Sequence, residues 1–135
     1  MIVIDSSFLI AYHNERDLHH RAAGEAMELF LAGVWGRGLL LEYVFLEVVS
    51  ILLAKRGLAV ARSVAETLLQ SEELEFVPCS DFFLETWETF RGQTGNALSF
   101  ADAAILTVAR ARAQGLVATF DADFRALPGI TVIPG

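Results

Sequence analysis

At 135 residues the chain has the size of one domain built round one core. Its 54% hydrophobic content excludes disorder, and its single cysteine, Cys79, excludes an internal disulfide and a Cys/His zinc framework. A net charge of −7 argues against a nucleic-acid binder held by a basic footprint, unless several acids share a metal cluster whose ions reverse the local field.

Met1–Ile4 is a short apolar run that ends in Asp5-Ser6-Ser7, the pattern of a buried strand leading into a helix cap. Asp17–Ala32 has helical spacing, with Ala22, Ala23, Ala26, Leu29 and Phe30 as its apolar set. Leu39-Leu40-Leu41 predicts a second short strand, and Glu42–Arg56 a strongly apolar helix stopped by Gly57. Ala59–Gln70 is a further helix, Leu74–Pro78 a strand, and Asp81–Phe90 a helix with Asp81 at its cap. Gly92, Gly95 and Asn96 make Arg91–Leu98 a loop. Ser99–Ala113 is a helix that opens on Ser99-x-x-Asp102, close to a capping box, and Gly115 ends it. Leu116–Thr119 is a strand, Asp121–Gly129 a turn-rich connection and Ile130–Ile133 a final strand.

Strands that alternate with helices imply an α/β domain over residues 1–135, with a mostly parallel sheet covered on both faces. In such sheets ligand sites lie at the carboxyl ends of strands, where Asp5 and Asp121 both fall. The longest apolar stretch, Leu39–Ala54, is broken by Glu42, Glu47 and Ser50 and is shorter than the roughly 20 residues a membrane span needs. It reads as buried helix or interface. The chain opens without the basic segment of a secretory signal, and with one cysteine this leads to the expectation of a cytoplasmic protein with no membrane partner.

The acids carry the candidate chemistry. Asp5 is either the cap of the following helix or a carboxylate held at a strand end beside the Ser6 hydroxyl. Asp121 repeats the arrangement with Thr119 nearby and Asp123 two residues on, although a turn-forming aspartate accounts for it equally well. Glu47 stands in a run of apolar residues, where an unpaired carboxylate is costly to bury and needs a base, a proton or a metal. Glu42 lies about 140° away round the same helix, so the two do not readily serve one site. Glu42 is also explained by the helix dipole, which favours Glu47 as the ligand. Asp102 lies in a helical first turn, among small residues that let another element approach closely, and capping is its competing explanation. A set of carboxylates alone suits Mg²⁺ or Mn²⁺ rather than zinc or copper. His13, His19 and His20 read as surface histidines, and no serine–histidine–acid order or glycine-rich phosphate loop is present.

Four pieces taken in order, Ile2-Val3-Ile4-Asp5-Ser6-Ser7, Leu46-Glu47-Val48, Leu98-Ser99-Phe100-Ala101-Asp102-Ala103 and Thr119-Phe120-Asp121-Ala122-Asp123-Phe124, span nearly the whole chain. On them the chain resembles the PIN-domain ribonucleases, and within these it looks like a VapC-type toxin of bacterial toxin–antitoxin pairs; Arg56–Gly95 carries no motif. The resemblance implies a PIN-like fold with a five-stranded parallel sheet. It implies that Asp5, Glu47, Asp102 and Asp121 hold one or two Mg²⁺ or Mn²⁺ ions, that Asp123 is an auxiliary acid, and that Ser6 and Thr119 orient water or ligands. The activity implied is hydrolysis of RNA by a metal-activated water, leaving 5′-phosphate and 3′-hydroxyl ends. A homodimer and a cognate antitoxin are the implied partners, and Arg16, Arg21, Arg37, Arg56 and Arg91 are candidates for phosphate contacts.

Two rivals keep other chemistry in view. Receivers and dehalogenase-like phosphatases also use a strand-end aspartate. The dehalogenase-like signature, however, needs a second acid where Ser7 stands, and both need a lysine late in the chain, where Lys55 is the sole lysine. A non-catalytic PIN-like binding module is the other, and such relatives usually lose acids from the cluster, whereas all four stand here.

Overall fold

The computed structural model describes residues 1–95 and 97–135. Five strands, β1 (Ile2–Ile4), β2 (Gly38–Leu41), β3 (Leu74–Val77), β4 (Leu116–Ala118) and β5 (Thr131–Ile133), form one sheet in the order β3-β2-β1-β4-β5. Every neighbouring pair is parallel. Every residue of β1 and β2 is buried, which is why these strands read as unbroken apolar runs rather than alternating ones. Val3, at the centre, pairs with Leu39 on one side and Val117 on the other.

Helices α1 (Ser6–His13), α2 (His20–Leu31), α3 (Glu42–Arg56) and α4 (Leu58–Gln70) pack in succession, α1 on α2 and α3, and α3 on α4. Helix α5 (Phe83–Arg91) packs on α6 (Phe100–Arg112), and α6 lies against β1 and β4. The sheet is thus covered on both faces, and one continuous core runs from Ile2, Val3 and Ile4 through Phe8, Leu40, Val48, Ile105 and Val117 to Phe124.

Two close approaches depend on glycine. A Cβ on Gly38 would stand 2.7 Å from a methyl of Leu74 and 2.9 Å from the tip of the Phe30 ring, so a side chain at the first residue of β2 would displace both. Gly115, at φ +81°, makes the turn from α6 into β4; a Cβ there would collide with the carbonyl oxygen of Gly129.

Several boundaries differ from the sequence expectation for identifiable reasons. The second helix starts at His20 rather than Asp17, because the Asp17 carboxylate turns to accept the His19 N–H at 2.8 Å. The segment expected as a helix capped by Asp81 divides into a 3₁₀ turn, Cys79–Phe82, and α5, and Asp81 makes no side-chain cap. Ser99 is the cap of α6, and its hydroxyl accepts the Asp102 N–H at 3.1 Å. Asn96, in the expected loop Arg91–Leu98, lies outside the described residues. Among the described residues no helix is long and apolar enough to cross a membrane.

Candidate active site

Asp5 leaves the carboxyl end of the central strand with its N–H bonded to Ala118 O at 2.9 Å, which extends the β1–β4 ladder one residue beyond β1. Its carboxylate, 4% exposed, accepts four short-range bonds or contacts. Oδ1 takes the Ser6 N–H at 2.8 Å, with the Ser6 hydroxyl further off at 3.4 Å. Oδ2 takes the Thr119 hydroxyl at 2.6 Å and the Ser7 hydroxyl at 2.9 Å. Asp5 therefore caps α1 and faces the site at once; the two readings of this residue are compatible. Ser7 and Thr119 also lie 3.1 Å apart, but each hydroxyl has one proton, and with both given to Asp5 they hold the same carboxylate oxygen from two sides. Their acceptor lone pairs are used as well: Ser7 Oγ takes Phe120 N–H at 3.0 Å and Thr119 Oγ1 takes Asp121 N–H at 2.9 Å.

Glu47 approaches from α3. Its Oε1 accepts the Ser6 hydroxyl at 2.6 Å, which links α3 to the end of β1. The expectation that its apolar neighbours bury it is corrected by the structure: Val44, Val48 and Leu52 face the core, whereas Glu47 is exposed and Leu46 beside it is 55% exposed. An apolar run here covers both the inner and the outer side of the helix. Glu42 points elsewhere: its Oε1 accepts Cys79 N–H at 2.9 Å, at the start of the 3₁₀ turn after β3.

Asp121 opens the 3₁₀ turn Ala122–Phe124, with its Oδ1 accepting Asp123 N–H at 2.9 Å. Here too the turn explanation holds alongside a place in the site. Asp123 itself is exposed. Asp102, half-buried in the first turn of α6, has its carboxyl pushed up to about 6. Burial is the first cause, followed by the charges of Asp5, Asp121 and, more weakly, Glu47, with the Ser99 hydroxyl opposing them. These couplings bring carboxylates from β1, α3, α6 and the β4 connection into one electrostatic neighbourhood. Asp5 is also held above the usual carboxylate range, by burial first and by Glu47 last, against the lowering bonds from Thr119, Ser7 and Ser6.

Repelling carboxylates with oxygen as their only donor atoms, set at the ends of parallel strands, fit a hard divalent cation. Positive charge in their midst would reverse the repulsion that raises Asp102. Among the described residues no three acid, histidine or cysteine side chains are drawn in to the spacing of ligands round one ion. What orders the site is hydroxyl bonding.

Ser7 is the functional residue that sequence reasoning passed over. Its position in Asp5-Ser6-Ser7 was visible, but its bond to Phe120 N–H spans 113 positions and depends on the pairing of β1 with β4. Three of the five arginines considered for phosphate contacts are engaged with acids: Arg21 with Glu25 at 3.4 Å, Arg37 with Glu75 at 3.7 Å and Arg91 with Glu88 at 2.8 Å. Arg56 donates to Asn14 Oδ1 at 3.0 Å, and Arg16 is exposed.

Against this geometry stand the comparisons with known proteins. A family model described as the PIN domain matches residues 2–130. Among solved structures the chain is similar to the crystal structure of VapC20 of Mycobacterium tuberculosis, described as a toxin that cleaves the sarcin–ricin loop. The two are 24% identical over 96% of this chain and 97% of that one, with a TM-score of 0.82. At this identity the likeness is one of fold. No curated protein matches the chain.

Proposed function

Because this chain belongs to the PIN-domain family, we propose that it is a Mg²⁺- or Mn²⁺-dependent endoribonuclease, the toxin of a type II toxin–antitoxin pair, acting in the cytoplasm. The observation that carries the reading is the hydroxyl-ordered Asp5 at the end of the central strand, electrostatically coupled to Glu47 and Asp102, with Asp121 coupled to Asp102. Asp5, Glu47, Asp102 and Asp121 hold the metal. When bound, it supplies an acidified water and neutralises phosphate charge. Thr119 and Ser7 favour the ionised form of Asp5 against its burial and fix its orientation; Ser6 fixes Glu47; Asp123 adds an outer acid near the Asp121 turn.

The test is cleavage of RNA by the purified chain after chelator treatment. Activity returns with Mg²⁺ or Mn²⁺ and leaves 5′-phosphate ends, and a protein that cuts equally well in chelator overturns the reading. The pH dependence follows from Asp102. Its proton must leave before a cation binds, so metal affinity is full well above pH 6 and falls as pH drops through and below that value. Calorimetric titration with Mn²⁺ at pH 5 and 7.5 checks this, and equal affinities at the two values count against Asp102 as a ligand.

Two partners belong to the same reading. Leu46 and Leu53 on α3, with Leu84 and Trp87 on α5, leave apolar surface that supports a homodimer, measurable by light scattering. A cavity of about 390 Å³ lined by Leu9, Tyr12, Met27, Phe30 and Leu68 supports docking of an antitoxin's apolar segment. An arginine elsewhere in the antitoxin, reaching from that cavity to the carboxyl ends of the strands, neutralises the acids in place of metal. Co-expression with the neighbouring gene's product, scored by RNA cleavage, tests the antitoxin.

A further inference from the structure

A column of three rings runs from the core to the rim of the acid site. Phe8, 1% exposed, lies parallel to Phe120 at 6.0 Å and 8°. Phe120, half-buried, carries the imidazole of His19 at 4.4 Å and 4°. His19 itself is exposed, and among the described residues no further ring stacks on its outer face.

The imidazole is held in place by its backbone. The His19 N–H donates to Asp17 Oδ1 at 2.8 Å, and the His19 carbonyl accepts Ala23 N–H at 2.9 Å as α2 begins. Phe120 is fixed from the other side, since its N–H donates to the Ser7 hydroxyl that holds Asp5, and its chain neighbours are Thr119 and Asp121. A flat ring with one free face thereby stacks on a residue whose backbone is linked through two hydrogen bonds to the carboxylate at the end of the central strand.

We propose that His19 is a positioning residue whose free face stacks a nucleobase of the RNA next to the phosphodiester that is cut. The proposal rests on the ribonuclease reading above and adds what grips the substrate. Phosphate attraction is weak in this molecule, which carries 17 acids against 10 lysines and arginines, and Arg21, Arg37 and Arg91 are already paired. Stacking needs no net charge. It accepts any base because every base has a π-face, and each stacked base strengthens binding by roughly a factor of ten. The half-buried Phe120, backed by the buried Phe8, keeps the imidazole from being pushed inward when a base settles on it.

The experiment uses the full chain and a short single-stranded RNA that it cuts, intact or with one base removed at each position flanking the cut. For the wild type, one abasic position raises KM about tenfold with kcat unchanged. His19→Ala raises KM about tenfold on intact RNA and no longer distinguishes the abasic substrate. His19→Phe restores both properties and His19→Lys does not, while all variants keep the wild-type Tm. In chelator, 2-aminopurine at the sensitive position is quenched by wild type and His19→Phe and not by His19→Ala. Wild-type KM in His19→Ala, or rescue by lysine instead of phenylalanine, overturns base stacking while leaving the ribonuclease reading intact. A wild type that neither cuts nor binds RNA removes that reading, and this proposal with it.

Discussion

Asp5→Asn is expected to lower metal-dependent RNA cleavage by about a thousandfold or more while the chain stays folded. A bound cation contributes several kcal/mol of transition-state stabilisation, and each factor of ten in rate corresponds to about 1.4 kcal/mol. Asparagine preserves the shape and removes the charge. The fold tolerates the exchange because Ser7 and Thr119 each keep a second lone pair, beyond the one that takes Phe120 N–H or Asp121 N–H, with which to accept from an amide. Stability moves the other way from activity. The folded protein holds Asp5 above its ordinary range, so ionisation of this group at neutral pH is less favourable folded than unfolded. Without metal, Asp5→Asn is therefore at least as stable as wild type at pH 7, and its advantage shrinks as pH falls through the folded value and the wild-type carboxyl takes up its proton. Initial rates with Mg²⁺ and melting in chelator measure the two effects. Glu47→Gln is expected to follow Asp5→Asn in activity, and Glu42→Gln, whose carboxylate is occupied at Cys79, to cut at the wild-type rate. Retention of full activity in Asp5→Asn would falsify the assignment of Asp5 as a ligand.

Gly115→Ala is expected to cause a large loss of stability at a distance from the chemistry. The residue sits at φ +81°, where a Cβ is strained, and that Cβ would collide with the Gly129 carbonyl. Relief requires backbone movement, because both partners are main chain. The same turn supplies the bond from Thr131 N–H to Gly115 O at 2.9 Å, which starts the β4–β5 pairing. Strain and collision together cost about 3–5 kcal/mol, a fall in Tm on the order of 10 °C. Cleavage per folded molecule stays at the wild-type level at low temperature, since Gly115 lies before β4 and the site lies after it. Thermal melting and cold activity assays separate the two, and a Tm within a degree or two of wild type contradicts the collision.

The parts of the fold that were legible in the sequence are those whose signal is local. Glu42–Arg56 has the bounds expected from its apolar content and from Gly57, and the strand starting at Leu116 follows from Gly115 before it. Asp5 and Asp121 stood out because each ends an apolar run. The extent of α1 was not legible: Phe8, Leu9, Ile10 and Ala11 are all buried, so the helix has no polar face to show its period. The exposure of Glu47 was hidden because α3 is apolar on its outer side as well. The sharing of Asp5 by Ser7 and Thr119, and the stacking of His19 on Phe120, exist only once β1 and β4 lie side by side.

That side-by-side placement also sets when the site comes into being. The strand made first is the central one, and the partner that brings Thr119 to Asp5 is 114 residues away along the chain. At a synthesis rate of about 5–20 residues per second, roughly 6 to 23 seconds pass between the joining of Asp5 and the joining of Thr119. Throughout that interval β1 has no neighbour on its β4 side, and Asp121 does not yet exist. A polypeptide interrupted before β4 therefore carries at most three of the four acids and lacks the Thr119 bond that holds Asp5. Translation thus delivers the complete acid site as one late event, and fragments that end before β4 lack it.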